Sequence, residues 1–114
     1  MPGADWPVGD GSLGVLEGFS STIHADGSQP MRYAVRNDGT CEVAMLMALD
    51  AHAGGNNRNG RIAANLVNYI LVQSGLATGH RLDVNHPACG LVGWALDHTE
   101  SYCCLLYTSD AADE

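Results

Sequence analysis

The chain has 114 residues, 46% of them hydrophobic, and sets thirteen acids against five basic residues for a formal charge of −8. A chain of that length makes one domain or part of one, and its apolar content argues against disorder through the middle. An acidic balance with no basic patch argues against nucleic-acid binding, and no apolar run approaches the ~20 residues that cross a membrane.

Residues 1–14 carry two prolines, four glycines and two aspartates, a loop composition whose Trp6 is expected to pack on a neighbour. Residues 15–36 read as extended. Two β-prone runs, Ser20–His24 and Met31–Arg36, flank Ala25-Asp26-Gly27-Ser28, and an Asp-Gly turn between such runs predicts a β-hairpin. Pro30 weakens the second strand at its start. Asn37-Asp38-Gly39-Thr40 then offers a stop and a set of N-cap side chains.

Residues 41–53 read as the first helix, with Glu42 in its first turn and Gly54-Gly55 to end it. Val43, Met45, Leu46, Met47 and Leu49 make it apolar nearly all round, which predicts burial on several sides. Asn56–Gly60 is a polar turn. Residues 61–74 form the second helix, with Ile62, Ala63, Leu66, Val67, Ile70 and Leu71 on one stripe and Gly75 to close it. The two helices make an αα-hairpin. Residues 77–87 read as loop, 87–96 as a short apolar element of open type, and 97–101 as a polar end. The predicted fold class is mainly α with an N-terminal β-hairpin (α+β).

The run Cys104–Glu114, back-translated, resembles a transposase sequencing-library adaptor and is expected to be a disordered, adaptor-derived tail. Setting it aside removes Asp110, Asp113 and Glu114, taking thirteen acids to ten and the formal charge from −8 to −5. It also leaves three cysteines, Cys41, Cys89 and Cys103, an odd number at wide spacing that implies no disulfide framework. Residues 1–103 then read as a truncated piece of one larger domain. Localisation stays open.

The carboxylates Glu17, Asp26, Asp38, Glu42, Asp97 and Glu100 stand at junctions between loops and elements, where sites are commonly built. Two such groups across a cleft can hydrolyse a glycosidic bond. Glu17 interrupts the apolar run Leu13–Phe19, a setting that raises a carboxyl pKa; the plainer reading is an edge charge facing solvent. Arg32 and Arg36 beside Asp38 suit a clamp for a carboxylate or for sugar hydroxyls, or else a structural ion pair that caps the first helix. Asp50 and His52 mark that helix's wettest side.

His80, His86 and Cys89 form an H-x5-H-x2-C pattern, but zinc needs three or four supported ligands and neither CxxC nor HExxH is present, so no metal is expected. Cys41 and Cys89 read as small buried hydrophobes. The glycine-rich Gly9–Gly14 follows no strand and opens no helix, so it fails as a phosphate loop.

Leu16–Ile23, Ala25–Gln29, Arg32-Tyr33 and Arg36-Asn37-Asp38, followed by an alanine-rich helix, resemble bacterial proteins of the six-hairpin glycosidase-like type. The resemblance spans most of residues 10–102. It implies an α/α toroid, in which helical hairpins ring a carbohydrate-binding cleft. It also implies that Glu17, Asp26 and Asp38 are the acids of that cleft, with Arg32 and Arg36 beside them and no cofactor; Tyr33 and Trp6 would contact sugar. The expected function is therefore a piece of a glycoside hydrolase, inactive by itself. The alternatives are a non-catalytic carbohydrate-binding or scaffold module, or structural core from an unrelated enzyme.

Overall fold

The structure is a computed structural model, and it describes residues 9–16, 18, 20–31 and 34–102. Its frame is two helices, α1 (Asn37–Gly54) and α2 (Asn57–Asn68), packed against each other as an αα-hairpin. The two-residue connection is Gly55-Asn56. Gly55 takes the left-handed conformation, φ 68°, and donates its N–H to the Ala51 carbonyl at 3.0 Å, closing the end of α1. The Asn56 side chain accepts from the Asn59 N–H at 3.3 Å and so opens α2.

α1 begins four residues before its expected start. Asn37–Thr40 are its first turn rather than its cap, with extended Arg36 at the N-cap position and Asp38 as the first-turn acid in place of Glu42. Tertiary contacts decide this. The Asn37 N–H donates to the Trp94 carbonyl at 2.7 Å, and Thr40 is fully buried, its hydroxyl accepting from the Val15 N–H at 3.4 Å.

α2 also starts early, taking in the Asn57–Gly60 segment expected as a turn. Beyond Asn68 the helix widens into a π turn, Tyr69–Gln73, in which the Ser74 N–H reaches the Tyr69 carbonyl at 2.7 Å. Residues 77–87, expected as loop, include a 3₁₀ turn at Gly79–Leu82. Residues 87–96 form no regular element.

The expected β-hairpin is not shown: no strand forms among the described residues of 15–36, and residues 17, 19, 32 and 33 of that span lie outside them. The chain does reverse at Asp26-Gly27, where Gly27 has φ 83° and donates to the His24 carbonyl at 2.9 Å. Two further bonds, Ser20 N–H to Pro30 carbonyl at 2.7 Å and His24 N–H to Ser28 carbonyl at 2.9 Å, hold the excursion together. Among the described residues an antiparallel bridge joins Leu16 to Val35, and Arg36 bridges Ala95 in turn. All of residues 21–30 are exposed, so the tip of the excursion buries no apolar face, and a lone pair of strands is marginal without one.

The core is small. Leu66, Ile70 and Leu76 are its fully buried large apolar side chains, joined by Val35, Ala44, Ala63, Ala88 and Ala95. Residues 9–16 fold back over α2, with Asn65 donating to the Asp10 carbonyl at 2.8 Å. Residues 88–102 close the other side through Gly93 N–H to Leu76 carbonyl at 2.7 Å and Leu96 N–H to Val35 carbonyl at 3.3 Å.

The expected burial of α1 on several sides does not occur. Among its described side chains only Asn37, Thr40 and Ala44 are buried, while Met45, Leu46 and Leu49 are about 60% exposed at 62, 63 and 58%. The apolar residues circle the helix, but α2 and the irregular segments cover one sector of it. No described helix is long and apolar enough to cross a membrane.

Candidate functional site

Of the expected site residues, Glu17, Arg32, Tyr33 and Trp6 lie outside the described residues, as do Cys103 and the tail that follows it. Arg36 and Asp38 come together at the start of α1, Nε to Oδ1 at 3.4 Å, with Asp38 13% exposed. The Arg36 guanidinium carbon also lies 5.7 Å from the Trp94 ring centroid, and the His98 ring is 5.5 Å from that same ring. Arg36 is thus seated by an acid and an aromatic face together.

Asp26 sits elsewhere, on the exposed turn. Its carboxylate accepts from the Ser28 N–H at 2.9 Å, and the bonds from Ser28 hold its carboxyl below the usual carboxylate range. That is an Asx turn, and it does the job of folding the loop. The Gly9–Gly14 stretch likewise has a packing role. A Cβ on Gly11 would lie 2.8 Å from the Ile62 carbonyl oxygen, and one on Gly14 would lie 2.8 Å from the Tyr69 ring.

Sequence reasoning passed over the densest polar cluster, which centres on Arg81. The 3₁₀ turn at Gly79–Leu82 presents His80 and Arg81 to residues 99–102. Arg81 is 5% exposed; it donates to the Thr99 carbonyl, to Gly75 and Thr78 carbonyls at 3.4 and 3.5 Å, and to Glu100 Oε1 at 3.0 Å. Glu100 Oε2 accepts from the Tyr102 hydroxyl at 2.8 Å and lies 3.2 Å from His80 Nε2.

The Tyr102 hydrogen bond, followed by the charges of His80 and Arg81, keeps the Glu100 carboxyl below its ordinary range. Desolvation and then the Glu100 bond push the Tyr102 phenol up. An ionised carboxylate so engaged is a poor proton donor; what it does is orient His80 and tie the 3₁₀ turn to the chain's described end. No sequence motif announces this, because residues eighteen or more apart form it.

His80 and His86 are in ring contact, centroids 4.5 Å apart, and the His86 Nδ1 already accepts from the Ala88 N–H at 3.1 Å. Among the described residues, no group of three or more His, Cys, Asp or Glu is arranged to hold a metal ion. Cys89, expected to be buried, is exposed; Cys41 is half-buried, its thiol 3.1 Å from Asn37 Oδ1.

An open groove of about 770 Å³ runs along the α1–α2 seam. Met45, Ala48, Ala64, Val67, Leu71 and Val72 supply its walls, and no charged side chain lines it. Compared with protein-family models, with curated proteins and with solved structures, the chain matches none.

Proposed function

We propose that this chain is one helical hairpin of a larger helical array, an α/α toroid of the six-hairpin glycosidase-like kind, in a protein that acts on carbohydrate. On this reading the parent protein cleaves a glycosidic bond with paired carboxylates and no cofactor, and the hairpin by itself is inactive. The observation that carries it is the apolar groove on the α1–α2 seam. A self-contained helical pair turns polar residues outward, whereas here Met45, Leu71 and Val72 are 62, 49 and 64% exposed. With Asn68 its one clearly polar lining side chain, the groove fits the apolar face of another helical hairpin of the same array. The carbohydrate assignment comes from the resemblance, and Asp38, little exposed at the head of α1, is the described acid that suits a cleft.

The second reading, a non-catalytic carbohydrate-binding or scaffold module, is favoured by one specific observation. Both described candidate acids are already engaged, Asp26 by Ser28 and Asp38 by Arg36.

The test is to express the chain in continuity with its flanking coding sequence and measure two things, anilinonaphthalene sulfonate fluorescence and hydrolysis of chromogenic glycosides. Dye binding to the longer protein should fall, and hydrolysis should appear and drop about 100-fold or more in Asp38→Asn. Retention on a polysaccharide column without hydrolysis supports the second reading. Flanking sequence that adds no helices, or leaves the groove open to dye, overturns both.

A further inference from the structure

Arg58 and Arg61 stand three residues apart at the start of α2, so they share a face of the helix. Together with Gly9, Asp10, Ile62 and Asn65 they line a pocket of about 470 Å³ between α2 and the folded-back residues 9–14. The other two described arginines are paired, Arg36 with Asp38 and Arg81 with Glu100. Arg58 and Arg61 make no ion pair with any described residue, although the chain carries thirteen acids.

Their placement runs against helix stability. The first turn of α2 holds no acid, and cations at a helix N-terminus oppose its dipole. Two unneutralised guanidinium groups on the wall of a pocket make a locus for an anion, and arginine's planar fork matches an oxyanion in two-point contact. Asp10 is the one acid on the rim. Its carboxylate accepts from the Ser12 N–H at 2.9 Å and stays ionised, so a bound anion must sit on the arginine side. Asp10 then remains free to accept from a neutral hydroxyl. Asn65 already spends its amide N–H on the Asp10 carbonyl, leaving its side-chain oxygen as a second acceptor.

We propose that this pocket binds a small polyhydroxylated oxyanion, with Arg58 and Arg61 on the anionic group and Asp10 and Asn65 on its hydroxyls. The anionic group is the carboxylate of an acidic sugar or a phosphate ester, which share this chemistry. The proposal stands on the pocket alone and does not require the parent protein to hydrolyse glycosides.

The test is a nitrogen-15 amide titration of the full 114-residue chain with four probes: glucuronate, glucose 6-phosphate, inorganic phosphate and glucose. Saturable shifts confined to Gly9–Ser12 and the first turns of α2 are expected, with a Kd of about 1 mM or tighter for at least one organic anion. Glucuronate alone identifies an acidic sugar, and glucose 6-phosphate alone a phosphate ester; either supports the site. Arg58→Gln/Arg61→Gln should weaken that probe at least about tenfold, and Asp10→Asn should weaken organic anions without weakening inorganic phosphate. Both arginines are exposed, so the variants should keep the parent's circular dichroism; should the pair fail to fold, Arg58→Gln alone carries the comparison. Glucose binding as well as the anions overturns the proposal, and so does an unchanged Kd in the arginine variants. Shifts with inorganic phosphate only, or with no probe, overturn it too.

Discussion

Arg81 and Glu100 meet at 3.0 Å across a steep gradient of exposure, the arginine side chain 5% exposed and the glutamate 65%. A charge buried that deeply needs more than one half-wet partner. Arg81 finds it in three backbone carbonyls, Gly75 and Thr78 of one turn and Thr99 of a distant segment. The guanidinium is therefore a hub for irregular backbone that no helix or sheet organises.

Removing the hub should cost more than removing its acid. Arg81→Ala strips three part-buried carbonyls of their donor and leaves a void where the buried side chain was, and about 2–4 kcal/mol of stability should go with it. Glu100→Gln keeps the hydrogen bonds to Arg81 and Tyr102 at an exposed position, so it should change stability little. Urea midpoints of the two variants check the order; equal losses would mean that the ion pair, not the carbonyl set, holds Arg81.

Acid should loosen the same corner. The folded Glu100 carboxyl lies below its ordinary value of 4.5, chiefly through the Tyr102 hydroxyl and next through His80 and Arg81. A depressed carboxyl contributes stability that is fully present above the unfolded value and is lost as pH falls through the folded one. Amide exchange at Thr99–Tyr102 should accelerate as pH falls below about 4.5, after correction for the intrinsic rate. In Tyr102→Phe, which removes the largest cause of the depression, the acid-induced acceleration should be smaller and be complete nearer the ordinary value. An acceleration of unchanged size in the variant would assign the effect to the charges instead.

The loop glycines separate two reasons for being glycine. Gly14 has φ 78°, and a Cβ there would lie 2.8 Å from the Tyr69 ring and 2.9 Å from Val35 Cγ1. Gly27 has φ 83° with nothing within 4 Å. Gly27→Ala should cost about 1–2 kcal/mol, the strain of a left-handed residue alone. Gly14→Ala adds a clash with packed side chains and should cost more, about 2–4 kcal/mol. Thermal melts of both variants decide it, and equal losses would mean that Tyr69 yields without cost.

The αα-hairpin was legible because its signals are local: Gly54-Gly55, the asparagine run and the stripe Leu66, Ile70 each act within one turn of helix. What escaped was decided at long range. Asn37 and Thr40 read as cap residues, yet Trp94 and Val15, twenty-five or more residues away, draw them into α1. The Asp26-Gly27 reversal was legible too, while no ladder is shown among the described residues on either side, and the exposed tip, residues 21–30, has no apolar face to hold one. For the site, Arg36 and Asp38 are near neighbours in sequence and were legible together, but the Arg81 cluster and the Arg58–Arg61 pocket depend on distant backbone. The turn expected at Asn56–Gly60 disguised the pocket, since it left Arg58 outside the helix that aligns it with Arg61.

The groove offers the sharpest separation between a core side chain and one that awaits a partner. Leu66 and Leu71 lie five residues apart, yet Leu66 is 1% exposed and Leu71 is 49% exposed. Leu66→Ala opens a cavity beneath Gly11 and should cost about 3–4 kcal/mol. Leu71→Glu changes a side chain that half faces water and should shift stability by no more than about 0.5 kcal/mol, while lowering dye binding to the groove. Chemical denaturation and dye fluorescence measure the two quantities, with light scattering in parallel for the oligomeric state. If Leu71→Glu instead unfolds the protein or converts a dimer to a monomer, the groove is already filled by a second copy of the chain, and an array partner has no place to dock.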